Sequence, residues 1–210
     1  MKLRNLKNSI SLLAMIVPFI IALSAMTACG GGPTATTNPP TSQPPTTPAG
    51  TMDFPSGKYQ SDTLYSDQFR LAYTVASDGI ISIGIKARTT GWVAIAIGNP
   101  HGQSDVWIGY VSSGQVTLLD TYNASYSGSH PLDTGSSGGT NDLTNVTGSE
   151  ANGITTIEFK RKLDTGDKND LPLVAGSNIV MWAIGPADDM FQEHSVLGIA
   201  TFEIQLNSGH

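Results

Sequence analysis

The sequence predicts an all-β domain, an immunoglobulin-like antiparallel β-sandwich, and three observations carry that prediction. Short runs rich in Val, Ile, Tyr, Phe and Trp alternate apolar with polar or small residues. Turn clusters such as Ser77-Asp78-Gly79 and Ser112-Ser113-Gly114 separate the runs. No segment carries a helical apolar stripe. Strands with one apolar face need a second sheet to bury it, and regularly spaced short strands of this kind give a sandwich.

The elements follow in order. Phe69, Leu71, Tyr73 and Val75 share one face, as do Ile81, Ile83 and Ile85. Trp92 to Ile97 is apolar on both faces, as a central strand requires. Val106 to Val111, Val116 to Tyr122, Ile154 to Lys162, Ile179 to Ile184 and Gly198 to Leu206 complete the set. Residues 123–153 are rich in Gly, Ser, Asn and Thr and read as a long loop excursion. The glycosylation triplets Asn123-Ala-Ser125 and Asn145-Val-Thr147 fall in it and read as loop residues.

Ahead of the domain lie two segments of other kinds. Lys2, Arg4 and Lys7 make a positive start, an apolar stretch from Ile10 to Ala25 follows, and Ala28 precedes Cys29. The stretch is interrupted by Pro18 and is shorter than the roughly 18 apolar residues of a membrane span. It resembles a bacterial lipoprotein signal peptide, with Met26 where leucine is usual. Residues 1–28 are therefore expected to be removed and Cys29, the only cysteine, to be lipidated. Residues 29–52, Thr/Pro-rich with Pro39-Pro40 and Pro44-Pro45, read as a linker holding residues 53–210 away from the membrane.

Charge and cysteine usage narrow the function classes. Loss of residues 1–28 removes three basic groups and no acid, leaving 8 basic against 17 acidic residues, net −9. That balance excludes nucleic acid as a partner and makes the acyl chains at Cys29, not a basic patch, the membrane attachment. One cysteine forms no intramolecular disulfide and no thiolate metal cluster, so the domain is stable on its core alone. No His-Glu-x-x-His, phosphate-binding glycine loop or nucleophile elbow is expected, and the chain is not read as an enzyme.

Four stretches carry most of the remaining information. Gly91-Trp-Val-Ala-Ile-Ala-Ile-Gly98 leads into Asn99-Pro-His-Gly-Gln-Ser-Asp105. Val106-Trp-Ile-Gly-Tyr-Val111 turns into Val116-Thr-Leu-Leu-Asp-Thr-Tyr122. The third runs from Gly153 through Phe159-Lys-Arg-Lys-Leu-Asp-Thr-Gly-Asp167, and the fourth is Val180-Met-Trp-Ala-Ile-Gly-Pro186, followed by His194 and Gly198. In this order they resemble the DOMON domain, the extracellular β-sandwich module of dopamine β-monooxygenase relatives and cytochrome-type proteins. The resemblance runs from about Lys58 to Leu206 and favours the haem-binding, cytochrome b-type branch, here as a prokaryotic lipoprotein.

That resemblance implies a b-type haem, or a sugar-like ligand, at one end of the sandwich. Haem-binding members carry a methionine four residues before the Asp of the Asp-x-x-Ile-Gly-Tyr strand and a histidine after the Trp-Ala-x-Gly strand. Asp105 opens that strand here, so the first position holds His101 in place of methionine, and the second is matched by His194. Imidazole and thioether both serve haem iron. Each histidine follows a strand that ends in Gly (Gly98, Gly185) and then Pro (Pro100, Pro186), a repeated pattern expected to bring both to one edge of the sandwich. Trp107, Trp182, Met190 and Phe191 are expected to supply apolar walls, with Met190 the reserve ligand; His130 and His210 read as incidental. The expected function is one-electron transfer by an extracytoplasmic haem b domain serving an unidentified redox partner protein. The alternative is a carbohydrate or other small-ligand module without haem, using Trp92, Trp107 and Trp182 as stacking platforms, and a purely structural or adhesive surface domain is the third class.

Overall fold

The computed structural model describes residues 50–99, 102–124 and 130–206. The signal and lipidation segments, most of the linker, His101 and His210 lie outside those residues. None of the helices among the described residues is long and apolar enough to cross a membrane.

Ten strands form two five-stranded sheets, and one 3-10 turn at Gly135–Ser137 is the single helical segment among the described residues. The strands are β1 (Ser61–Ser66), β2 (Phe69–Val75), β3 (Ile80–Ala87), β4 (Val93–Gly98), β5 (Ser104–Ser112), β6 (Gln115–Asn123), β7 (Thr144–Ala151), β8 (Ile154–Lys162), β9 (Gly176–Ile184) and β10 (Val196–Ile204). The first sheet runs β1-β2-β3-β8-β7 and the second β10-β9-β4-β5-β6. Each is a three-stranded meander extended by a later hairpin, and every pairing is antiparallel. The central strand expected at Trp92–Ile97 is β4, flanked by β5 and β9.

Strand alternation places the core between the sheets. Phe69, Leu71, Tyr73, Ile81, Ile83, Ile85, Ile157 and Phe159 of the first sheet meet Val93, Ile95, Ile97, Trp107, Val180, Trp182, Ile184, Phe202 and Ile204 of the second. Trp182 stacks on Phe69 at 4.8 Å and Trp107 meets Phe159 edge-on at 5.2 Å. Position 198 is opposite Trp182, and any Cβ there would overlap the indole, which is why β10 carries glycine at that point.

Two strands were not legible as strands, and both are edges of the first sheet. The last part of the 123–153 excursion is β7, a strand whose side chains are mostly exposed apart from Val146. It pairs with β8 through a two-residue turn at Asn152-Gly153, both at positive φ (54° and 72°). Asn-Gly there is a strong hairpin signal. Strand β1 is likewise polar and exposed. The folded domain also begins slightly before residue 53. Met52 and Phe54 are both buried, and Phe54 packs with Tyr59 over the outer side of the first sheet, where Gly84 leaves room.

Candidate functional site: an apolar outer sheet face

The middle of the outer face of the second sheet is apolar. Register places Leu197, Ala183, Ala94, Ile108 and Leu119 in one row across the five strands. The next row is Ile199, Met181, Ala96, Val106 and Thr121. Three alanines thus floor the middle of the face, and larger aliphatic side chains stand at its sides. Around β4, β5 and the C-terminal end of β9 the face is closed, with Trp92, Ala94, Ile108 and Ala183 buried as a second cluster packed by Tyr110, Leu119 and Met190. Over β10 and the start of β9 it is open: Ile179 is 53 %, Leu197 51 % and Ile199 60 % exposed. These neighbouring side chains leave apolar surface in water on an otherwise acidic protein. Trp92 Nε1 is buried on this face and has no acceptor among the described residues.

The expected site residues distribute unevenly about this face. His194 is exposed, one residue before Ser195, whose N–H (2.8 Å) and Oγ (3.0 Å) both donate to the Ile184 carbonyl. Met190 belongs to the second cluster and Phe191 is 99 % exposed on the same loop. Trp107 and Trp182 point the other way, into the intersheet core, so their walls are core contacts. All three tryptophans are buried, at 4 %, 0 % and 6 % exposure for Trp92, Trp107 and Trp182, and none offers a stacking face to a sugar. The shared edge inferred from the repeated Gly–Pro–His pattern gives way to a different arrangement. Because β4 and β9 are antiparallel, with Val93 beside Ile184 and Ile97 beside Val180, their C-terminal ends lie at opposite ends of the sheet. The strand end leading to His101 and the one leading to His194 therefore bracket the apolar face.

One further group of polar residues went unrecognised in the sequence. Asp105, Asp120, Asp170 and Arg161 are buried together between the sheets, near where β4 passes to β5. Arg161 pairs with Oδ2 of Asp105 and, at 3.1 Å, with Oδ2 of Asp170, while its guanidinium lies 4.9 Å from the Trp107 ring centre. Asp170 also accepts from Thr165 at 2.6 Å, and Asp120 accepts from the Asp142 N–H at 2.8 Å. Burial pushes Asp105 up to about 6 despite Arg161, and pushes Asp120 up to about 7. The signal was the strand period itself. Arg161 continues the inward phase of Ile157 and Phe159, and Asp120 is directly opposite inward-facing Trp107. Charges on an apolar phase mean a buried ionic cluster.

The stretch Gly135-Ser-Ser-Gly-Gly139 has the spelling of a nucleophile elbow. It folds instead as an exposed 3-10 turn in which Ser137 Oγ donates to the Leu132 carbonyl at 2.7 Å, without the strand and helix that an elbow needs.

The fold is thus a two-sheet antiparallel β-sandwich with an apolar area on the outer face of one sheet. Residues 65–185 match the DOMON domain, and the chain belongs to that family. Among solved structures, the cytochrome domain of Myriococcum thermophilum cellobiose dehydrogenase is similar at 15 % identity, covering 69 % of this chain and 81 % of that one with a TM-score of 0.51. The cytochrome b domain of pyranose dehydrogenase from Coprinopsis cinerea is similar at 14 % identity, covering 64 % and 75 %, with a TM-score of 0.46. At these identities the likeness is one of fold. No curated protein matches the chain.

Proposed function

We propose that this domain binds haem b on the outer face of its second sheet and works in one-electron transfer, outside the cytoplasm, without catalysing a reaction of its own. The observation that carries the reading is the alanine-floored apolar face, with the His194 loop beyond one end and, at the other, the end of β4 that leads toward His101 in the sequence. A flat, apolar macrocycle needs a neighbouring surface without bulky side chains, which Ala96 offers beside the open part of the face, with Ala94 and Ala183 in the adjoining cluster that Met190 packs against. Ile179, Leu197 and Ile199 present apolar surface that such a group would remove from water. Trp92 Nε1 offers an unused donor for a ligand oxygen. These residues fit a haem.

His194 and His101 are the proposed axial ligands, with Met190 in reserve. His194, on the loop after β9, and His101, in the segment after β4, would hold the haem iron through their imidazoles. Haem, when bound, supplies a one-electron iron couple whose potential the axial ligands set. The chain's own part is to hold both donors, exclude water from the apolar face and leave no open coordination position. The proposed setting is a lipid anchor at Cys29 on the outer side of the cell membrane, and the proposed partner is a redox protein.

Protein produced with adequate haem is expected to show a low-spin b-type absorption spectrum and a higher melting temperature than haem-free protein, because a ligand that binds only the folded state stabilises it. His194→Ala is expected to lose that spectrum. His101→Met is expected to retain it with a raised midpoint potential, because thioether ligation favours the ferrous ion. Colourless protein whose melting does not respond to added haem would overturn the proposal. An unchanged spectrum in His101→Ala would move the ligand assignment to Met190.

A further inference from the structure

We propose that Asp105, Asp120 and Asp170 form a cation site inside the sandwich, and that the ion it takes is calcium. One ligand oxygen from each lies within 4.8 Å of the others, the span of two calcium–oxygen bonds of about 2.4 Å. Exposure is 0 % for Asp105, 3 % for Asp120 and 9 % for Asp170. Among the described residues Arg161 is the one cation paired with them, and it engages Oδ2 of Asp105 and Oδ2 of Asp170. Oδ1 of Asp105 and Oδ1 of Asp120 are buried with no hydrogen-bond partner.

Those two oxygens separate a cation site from an ordinary ion-pair network. A buried carboxylate oxygen without a donor is strongly unfavourable, and native proteins seldom retain one without an ion or water to meet it. Three carboxylates against one guanidinium leave two negative charges when all are ionised, which one divalent ion neutralises. The donors are all oxygen, which selects a hard cation over a transition metal. Magnesium requires bonds of about 2.0–2.1 Å and gives up its waters reluctantly, whereas calcium accepts irregular oxygen sets at longer distance. Arg161 keeps its role, holding Oδ2 of Asp105 and Oδ2 of Asp170 and leaving Oδ1 of Asp105 and Oδ1 of Asp120 for the ion.

The site does not depend on haem, and its test needs none. Full-length protein is melted at mildly alkaline pH in EDTA, in calcium and in magnesium. Calcium about a hundredfold above its Kd is expected to raise the melting temperature by about 5–10 °C, and magnesium by much less. Asp120→Asn is expected to lose the calcium response yet melt no lower than wild type in EDTA, since it removes an unpaired buried charge. Terbium supplies a second readout that needs no variant at the ligands. Trp107 lies against Arg161 and should sensitise terbium emission, which calcium should displace and Trp107→Phe should abolish. An absent calcium shift in wild type, a retained shift in Asp120→Asn, or terbium emission that calcium does not displace would each overturn the site, and an equal magnesium shift would overturn the choice of calcium.

Discussion

At the residue scale, Arg161 shows how a family motif carries structure. In Phe159-Lys-Arg-Lys-Leu-Asp-Thr-Gly-Asp167, Phe159 fills the core, Arg161 clamps two aspartates, and Thr165 donates to Asp170. Asp167 turns back to accept from the N–H groups of Asn169 and Thr140. The raised values of Asp105, about 6, and Asp120, about 7, have a consequence for stability. A carboxyl whose folded value exceeds its unfolded value of about 4 stabilises fully below that lower value, and the contribution is lost as pH rises through the folded value. In EDTA, the melting temperature is therefore expected to fall between about pH 4 and about pH 8, and Asp120→Asn to flatten that fall. Calorimetry in a constant-ionic-strength buffer series measures it; a flat or rising profile in wild type would remove the two aspartates as the cause.

At the element scale, β10 ties the core to the open apolar face. Its inward residues Phe202 and Ile204 belong to the core, while Leu197 and Ile199 face outward. Gly198 permits this by letting the strand lie directly against Trp182. Gly198→Ala is expected to cost about 1–3 kcal/mol, the range for overpacking a filled site, because either the indole or the strand must move. A denaturant midpoint within error of wild type would show that the contact is loose. The same element view explains which strands were read correctly. Strands β2, β3 and β4 carry apolar residues on one full phase, and β9 does so from Ile179 onward, whereas β1 and β7 are polar sheet edges held by their neighbours' backbones.

At the scale of the whole molecule, an acidic sandwich follows an N-terminal segment that carries the chain's single cysteine. The sandwich has no disulfide to rely on, and its stability rests on the intersheet core. Attachment is expected to run through Cys29, with residues 1–28 removed. Native protein should carry acyl chains on an N-terminal cysteine, and Cys29→Ser should appear as an unprocessed precursor or as soluble protein. Mass spectrometry of the membrane fraction decides this, and an unmodified Cys29 there would end the anchor hypothesis.

The sequence by itself determined the all-β class, the central place of Trp92–Ile97 and the family, because strand period and motif order are local properties of the chain. Tertiary structure decided what depends on pairing direction and on inward phase. Antiparallel pairing of β4 with β9 put the ends preceding the two histidines at opposite ends of a sheet, although the strands share a Gly–Pro–His sequel. Trp107 and Trp182 became core rather than ligand walls because their positions face the first sheet. Asp105, Asp120, Asp170 and Arg161 come from β5, β6, the segment after β8 and β8 itself, and only the closure of one sheet on the other brings them together.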